Sequence, residues 1–534
     1  MIINPVDSEA SRERAEKTKD LDLEELNNTH SVKNDLEIGD IKSQEKQVSH
    51  QDEGNTRTLY FFLFIACWGS TMMGMDLGLT GGASLYVIPD LHISSNHWSW
   101  ISSGATWGSV LGSALATPIS FVVGRRTVLL VSSITYIVGV VIATSTKTWG
   151  QLLAGRLIMG VGIGTEAMTI PIYISEVVPR SHRGGHLNIF NSLQALGTFL
   201  AWVVTAIFIN VHPGSWRYIL GSGFVGPAVQ LVGVFFLPES PRYLMLKGKP
   251  EEAKKCWRRF RRETPISEAD YQDMCEKLRE ELASRIGFKQ AMKEITTNPR
   301  IRATFIVGGV LSLSQQWNGA TSVGYYMAIL LSSLGLTNKT SDYVQMPIGF
   351  WSFCWTLPAY YWLDKYGRRK MLLISFPIFM VGELIAGSSV YVENVHHRAA
   401  GFLIGMLIFY FGFQIGISPV AWVLNGEIYE LHVRNYGMAW GAFLLLGSAA
   451  SSTTSFSKQV SALTLQGTFY FYVGVSLLFL IFHLIFLPET KGMLLEDVRE
   501  LFNDGMLGLA RRNLSNIQNS ILHKFPTLWK RNES

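Results

Sequence analysis

From Thr58 to Leu487 the chain alternates between long apolar runs and short polar breaks. Each run is about 20 residues, the length a helix needs to cross the hydrocarbon of a bilayer. The pattern predicts twelve, near 58–88, 98–121, 127–146, 150–174, 186–209, 217–237, 303–331, 343–363, 371–391, 399–425, 435–461 and 467–487. Only helices serve, because hydrocarbon offers no partner to open backbone groups, and barrel strands would be shorter and alternating. The predicted fold is an all-α membrane protein with twelve transmembrane helices, multi-pass in the lipid bilayer.

The charges orient it. Basic residues gather in the breaks at Arg125/Arg126, Arg180/Arg183, Lys365/Arg368/Arg369/Lys370 and Arg434, and in 238–302 with Lys254, Lys255, Arg258, Arg259, Arg261 and Arg262. The break at 89–97 has no Lys or Arg, and 337–342 has only Lys339. Positive charge stays inside, so the basic breaks and both termini are expected in the cytoplasm. Asn338-Lys339-Thr340 then forms a glycosylation sequon on the outer side.

Comparing the two halves of the chain adds more. Gly124-Arg125-Arg126 recurs as Gly367-Arg368-Arg369, 367 − 124 = 243 positions on. Glu176 precedes Arg183 by seven residues, and Glu427 precedes Arg434 by seven. Pro238-Glu239-Ser240 recurs as Pro488-Glu489-Thr490, 488 − 238 = 250 positions on. Three landmarks in one order imply two pseudo-symmetric six-helix halves with a binding site between them, the plan of a transporter. The halves are 58–237 and 303–487; between them lies a small cytoplasmic helical loop domain at 238–302, with tails at 1–57 and 488–534. Opposite charges at the helix ends can pair in one conformation and part in another. That reading makes Arg125, Arg126, Glu176, Arg183, Glu239, Arg368, Arg369, Glu427, Arg434 and Glu489 gating charges.

Composition agrees. Hydrophobic residues are 48% of the chain and charged ones 16%, against about 25% charged in an average protein, which excludes a disordered, fibrous or single-pass chain. Residues 1–57 hold 14 acidic and 8 basic side chains, 14 − 8 = 6 net negative, and read as a disordered cytoplasmic tail. The four cysteines form no CxxC and no Cys/His metal spacing, and read as free thiols. No GxxxxGK[ST] occurs, and 238–302 is too short for an ATPase domain. The histidines are scattered and no catalytic constellation is present, so the chain reads as no enzyme. It reads as a secondary transporter without cofactor, metal or nucleic-acid partner, and as a monomer.

Two sets of polar residues stand out inside the spans. Asp76 lies in the first, and a buried acid costs about 2.5–3.5 kcal/mol even on the lenient insertion scale. Arg156 in the fourth span is its natural partner; the pair is either structural or a proton-coupling device. Gln315, Gln316, Thr321 and Tyr326 supply donors and acceptors in the seventh span, where positions 315, 319, 322 and 326 share one face of a continuous helix. Such amides suit a polar, uncharged ligand; the rival for these glutamines is interhelical hydrogen bonding. Tyr325 is expected to pack.

From 58 to 500 the chain resembles the sugar porter family of the major facilitator superfamily. The resemblance rests on Arg156-Leu-Ile-Met-Gly160-Val-Gly162, Pro171-Ile-Tyr-Ile-Ser-Glu176 with Arg183-Gly184, Pro238-Glu239-Ser240-Pro241-Arg242, Gln315-Gln316-Trp-Asn-Gly319 with Tyr325-Tyr326, and Pro488-Glu489-Thr490-Lys491-Gly492. It implies the major facilitator fold, a sugar-facing seventh helix, Trp422 as the aromatic platform, and Asp76 with Arg156 linking protonation to sugar binding. It adds Arg242 and Asp364 to the gating charges. Where the first half of the family has an Asp before Gly-Arg-Arg this chain has Phe121, while Asp364 keeps it in the second. Asn191 replaces a common Gln, Thr321 a usual Asn, and Leu445-Leu446 an Asn-Trp pair. The segment Phe190-Asn191-Ser-Leu-Gln194 is similar to fungal-type disaccharide and α-glucoside porters, and places Asn191 and Gln194 at the substrate.

The resulting expectation is a plasma-membrane transporter of a sugar or sugar-like polyol, working by alternating access as a proton symporter. Rival readings are a facilitative sugar transporter, an exporter of a polar metabolite, and a non-transporting nutrient sensor.

Overall fold

The computed structural model describes residues 56–178, 183–211, 214–261, 264–283, 286–493 and 495–524. All but the last two residues of the expected tail at 1–57 lie outside them. The chain divides into two units, residues 1–59 with 258–272, and residues 60–257 with 273–534. Arg261 and Asp270 form an ion pair within the smaller; the spans from Tyr60 onward belong to the larger.

Among the described residues every regular element is helical. Eight helices are long and apolar enough to cross a membrane. The last, Arg434–Phe486, turns at Thr464 (φ 66°, ψ 171°) into two helices, with Tyr472 Oη donating to Gln459 Oε1 at 2.8 Å across the turn. That makes 8 + 1 = 9 spans. Three more predicted spans fall short for visible reasons, completing twelve. The sixth is interrupted at Ser222–Phe224, and the seventh is split into Pro299–Gln316 and Ala320–Ser333. The eighth, Asn338–Tyr366, carries Lys339, Asp342, Asp364 and Lys365 near its ends. The first span runs through helices Thr56–Trp68 and Ser70–Asp90, with helical backbone at Gly69 between them (φ -56°, ψ -30°). Segment 238–302 forms helices Pro241–Leu246, Pro250–Phe260, Pro265–Ala283 and Phe288–Thr297.

The third span, Arg125–Thr144, shows how side chains sort. Val131, Ile134, Val138 and Val141 recur at helical spacing and are exposed, while Val128, Leu129, Ser132, Tyr136, Gly139, Val140 and Ala143 are buried. In water the first stripe would be an uncovered apolar patch; in a bilayer it meets lipid.

The repeat reaches the interior. A Cβ on Gly139 would lie 2.7 Å from the Gly155 carbonyl oxygen, and one on Gly382 would lie 2.6 Å from that of Gly405. Their separations, 382 − 139 = 243 and 405 − 155 = 250, are the landmark periods. In both halves the third helix of the six lies on the fourth at backbone distance, which only small residues permit.

The halves meet through first-span Gly81, where an added Cβ would lie 3.0 Å from the Gly324 oxygen of the seventh. The fifth and eighth join where Asn188 Nδ2 donates to the Thr356 carbonyl at 2.8 Å. The second and eleventh join where Trp107 Nε1 donates to Thr454 Oγ1 at 3.0 Å. At the end away from the Gly-Arg-Arg turns, Tyr86 Oη donates to Asp342 Oδ2 at 3.1 Å and Lys339 Nζ to Asn210 Oδ1 at 2.8 Å.

Candidate functional site

Asp76 sits in the middle of helix Ser70–Asp90, and Arg156 in Trp149–Val177. Both are 1% exposed. Arg156 Nη1 and Nη2 donate to Asp76 Oδ1 and Oδ2 at 3.0 and 3.1 Å, a bidentate geometry that suits a planar guanidinium. Its Nε donates to the Ile101 carbonyl at 2.5 Å, Nη2 to the Ser102 carbonyl at 3.1 Å, and Nη1 to Thr80 Oγ1. All five N–H donors of the guanidinium are therefore engaged inside one half.

Tyr325 belongs to the other half, and its hydroxyl donates to Asp76 Oδ2 at 2.7 Å. Its ring centroid is 5.6 Å from the Arg156 guanidinium carbon. This corrects the expectation that Tyr325 merely packs. The joint at Gly319 (φ 81°) re-aims the helix beyond it, and that turn is invisible to helical spacing.

The same joint breaks the continuous face assumed for positions 315–326. An added Cβ on Gly319 would lie 2.7 Å from the Tyr472 ring, and the positive φ itself favours glycine. The break leaves Gln316 facing Thr321, whose Oγ1 donates to Gln316 Oε1 at 2.5 Å. Tyr326 turns away to the second span, with its hydroxyl 3.3 Å from both Ser99 Oγ and Ser102 Oγ.

A cavity between the halves is lined by Asn191, Gln194, Gln315, Gln316, Thr321 and Trp422, with Tyr326 not among its walls. Sequence reasoning did not name Ser352, Tyr410, Gln414 and Ser418, which also line it. An amide inside the apolar run Phe409-Tyr-Phe-Gly-Phe-Gln414 was the available signal. Among the described residues no Asp, Glu, Lys or Arg lines the cavity. Gln315 Nε2 donates to the Ser418 carbonyl at 3.0 Å, Ser418 Oγ to Asn191 Oδ1 at 3.0 Å, and Gln414 Nε2 to Ser352 Oγ at 2.8 Å. The other amide ends, Gln315 Oε1, Asn191 Nδ2 and Gln414 Oε1, are buried without a partner. Trp422 stands edge-on to Phe190 at 5.6 Å.

At the basic end the two halves use one design. Glu239 Oε1 accepts from the backbone N–H of Arg125 at 2.9 Å, and Glu489 Oε1 from that of Arg368 at 2.9 Å. Each carboxylate caps the start of a helix, where an anion is favoured, and each lies against a glycine of φ 93° or 95°. Burial pushes the Glu239 carboxyl above its ordinary range despite the N–H donors around it. Arg125 forks onto Glu176 at 3.0 and 2.7 Å, and Arg368 Nη2 donates to Glu427 Oε1 at 3.1 Å. Arg126 Nε reaches the Val234 carbonyl and Arg369 Nη2 that of Leu484. These pairs join helix ends within a half. Arg368 also contacts Asp364 Oδ1 at 3.3 Å, whereas Arg125 lies 5.3 Å from the Phe121 ring centroid, so an aromatic face stands where the second half has an acid. Arg242 pairs with Glu281. Arg434 opens the long helix; the side chain of Arg183 lies outside the described residues. Asn338 is exposed at the start of its helix.

Residues 61–502 match the family model described as sugar (and other) transporter. The myo-inositol transporter FST1 of Gibberella moniliformis is 30% identical over 467 residues, covering 86% of this chain and 81% of that protein. The human proton myo-inositol cotransporter is 26% identical, covering 88% and 85%, and the galactose-proton symporter of Escherichia coli is 26% identical, covering 84% and 95%. In three dimensions the chain is similar to the proton:xylose symporter XylE, with a TM-score of 0.72 at 22% identity, over 84% of this chain and 99% of that one.

Proposed function

The chain belongs to the sugar transporter family of the major facilitator superfamily, and from that premise we propose that it carries a neutral, polyhydroxylated ring, a sugar or cyclitol, across the membrane by alternating access with a proton. The carrying observation is the pairing of an ion-free cavity with a buried acid bridging the halves. The cavity offers one unpaired donor and two unpaired acceptors on buried amides. Hydroxyls, which both donate and accept, satisfy such a set, whereas an ion would lie there without a counter-charge. The printed functions of the relatives, myo-inositol and galactose transport with protons among them, support the same class.

In this reading Asn191, Gln194, Gln315, Gln316, Thr321 and Trp422 contact substrate, joined by Ser352, Gln414 and Ser418. Tyr326 secures the seventh span to the second instead. Asp76 carries the coupled proton and Arg156 holds it in place. The pairs Arg125–Glu176 and Arg368–Glu427, with Glu239 and Glu489, set the conformational balance from the cytoplasmic end. The protein acts as a monomer in the plasma membrane, with both termini inside and Asn338 glycosylated outside.

Uptake of a radiolabelled panel of hexoses, disaccharides and cyclitols in a transporter-null cell, at two pH values and with and without a protonophore, tests the reading. One ring compound should accumulate, better at lower external pH, and lose accumulation with the protonophore. Equilibration without accumulation would remove the proton; no flux of any panel member would remove the transport reading.

A further inference from the structure

Asp76 is not the only acid buried in the amino-terminal half. Glu166, on the fourth span, is 2% exposed. Among the described residues of this half the two buried arginines are committed elsewhere, Arg156 to Asp76 and Arg125 to Glu176. The groups facing Glu166 come from three other spans. Ser132 Oγ of the third lies 2.6 Å from Glu166 Oε1 and also donates to the Leu129 carbonyl at 2.8 Å. From the sixth comes Gln230, 1% exposed, whose side-chain amide faces the Glu166 carboxyl. From the first comes Gly69. A Cβ there would lie 2.2 Å from Glu166 Oε2, 2.4 Å from Gln230 Oε1 and 2.7 Å from Gln230 Nε2. The two side chains converge on Gly69.

Hydrogen-bond bookkeeping accommodates a proton. A serine hydroxyl has one hydrogen to donate, and Ser132 has two acceptors within reach. With Glu166 protonated on Oε1, that proton goes to Ser132 Oγ, the serine proton goes to Leu129, and Oε2 is left as a carbonyl facing the Gln230 amide. An ionised Glu166 would be a buried charge with no cation beside it, at a cost of several kcal/mol. Tyr136, buried and with its hydroxyl unpartnered, lies within electrostatic reach of Asp76, Arg156 and Glu166. Asp76 itself is seven residues, about two helical turns, beyond Gly69.

We propose that Glu166, with Ser132 and Gln230, is a second proton-binding site of the amino-terminal half, set against Gly69 of the first span. The proposal rests on the proton-coupled reading of Asp76 but adds a group outside the substrate cavity.

The test uses the purified full chain in lipid vesicles and a hydrophobic carbodiimide, which reacts with protonated carboxyls in apolar surroundings. Peptide mass spectrometry reads labelling at Glu166 from about pH 5 to about pH 10. The expected result is labelling that falls about tenfold per pH unit above a single midpoint, as one titrating group requires, and that is absent in Glu166→Gln. No labelling of Glu166, or labelling that is flat across the range, overturns the proposal, the latter by making Glu166 a fixed structural acid. The wild-type titration stands even if Glu166→Gln fails to fold. Because labelling is read without transport, a titrating Glu166 in a chain that never accumulates substrate would sink the symport reading and leave this site intact.

Discussion

Tyr325 Oη of the carboxy-terminal half donates to Asp76 Oδ2 of the amino-terminal half at 2.7 Å. Arg156, on the amino-terminal side, already engages both oxygens of the same carboxylate. The hydroxyl is therefore the one member of this cluster that must leave when the halves separate. The bond is strongest to an ionised Asp76 and weaker to a protonated one, because charge-assisted hydrogen bonds are roughly twice as strong as neutral ones. Protonation of Asp76 thus loosens the joint between the halves.

Tyr325→Phe keeps the ring and removes only that bond. A hydrogen bond to a charged group is worth about 1.5–3 kcal/mol, so the balance between closed and open states should shift by roughly 10- to 150-fold. Cysteine-accessibility labelling of the cavity in the variant should report the open state. Unchanged labelling would show that the bond does not hold the halves.

Asp76→Asn mimics the protonated acid. It should bind and exchange substrate yet lose accumulation against a gradient, and its uptake should no longer rise as external pH falls. Arg156→Ala should be worse, because it strands a buried acid, a loss of about 3–5 kcal/mol that lowers surface expression. Counterflow and accumulation ratios separate the two.

In the cavity, Gln315→Ala and Gln414→Ala should each raise the apparent KM. One neutral hydrogen bond is worth about 0.5–1.5 kcal/mol, or roughly 2- to 13-fold. Tyr326→Phe should leave KM where it is, since Tyr326 faces Ser99 and Ser102 outside the cavity. If ligand binding by the purified Gln variants matches wild type while Tyr326→Phe binds weakly, the residues of the site have been chosen wrongly.

At the basic end, Glu427→Gln and Glu176→Gln should both slow turnover at matched surface expression. Each removes one partner of an equivalent pair, Arg368–Glu427 or Arg125–Glu176. A bias of about 1.4 kcal/mol changes a two-state population tenfold. The first-half pair is the more buried, and its loss should cost more. Wild-type rates in both variants would leave these charges with an orienting role only.

Gly319→Ala tests the joint of the seventh span. The residue sits at φ 81° with the Tyr472 ring 2.7 Å from an added Cβ. Left-handed backbone costs a non-glycine residue about 1–2 kcal/mol, and the contact adds to it, so thermal stability in detergent should drop visibly. Gly474→Ala, with open space around the added carbon, is the control and should be neutral.

Much of this architecture is legible in residue order because its causes are local or repeated. Span length follows from the thickness of hydrocarbon. The Gly-Arg-Arg turns and the Pro-Glu landmarks recur with their partners, so Glu239 and Glu489 could be matched from sequence before either was seen capping a helix. The pairing of Asp76 with Arg156 was legible too, since neither ion can stay alone inside a membrane. The reach of Glu427 to Arg368 was not, because their sequence distance says nothing of which helix ends meet.

What residue order determined by itself is the set of helices, their number and pseudo-symmetry, and the fact that Asp76 needed a cation. What only the tertiary structure decided is which polar groups share a space. Helical periodicity put Tyr326 with Gln315 and left Tyr325 to packing; beyond the turn at Gly319 Tyr326 bonds to the second span and Tyr325 to Asp76, and neither lines the cavity. Ser352 and Gln414 joined the cavity from the eighth and tenth spans. The physical reason is that spacing along a helix fixes direction only while the helix is continuous. A single left-handed glycine rotates everything beyond it, and only the packing of Tyr472 and the facing spans sets by how much.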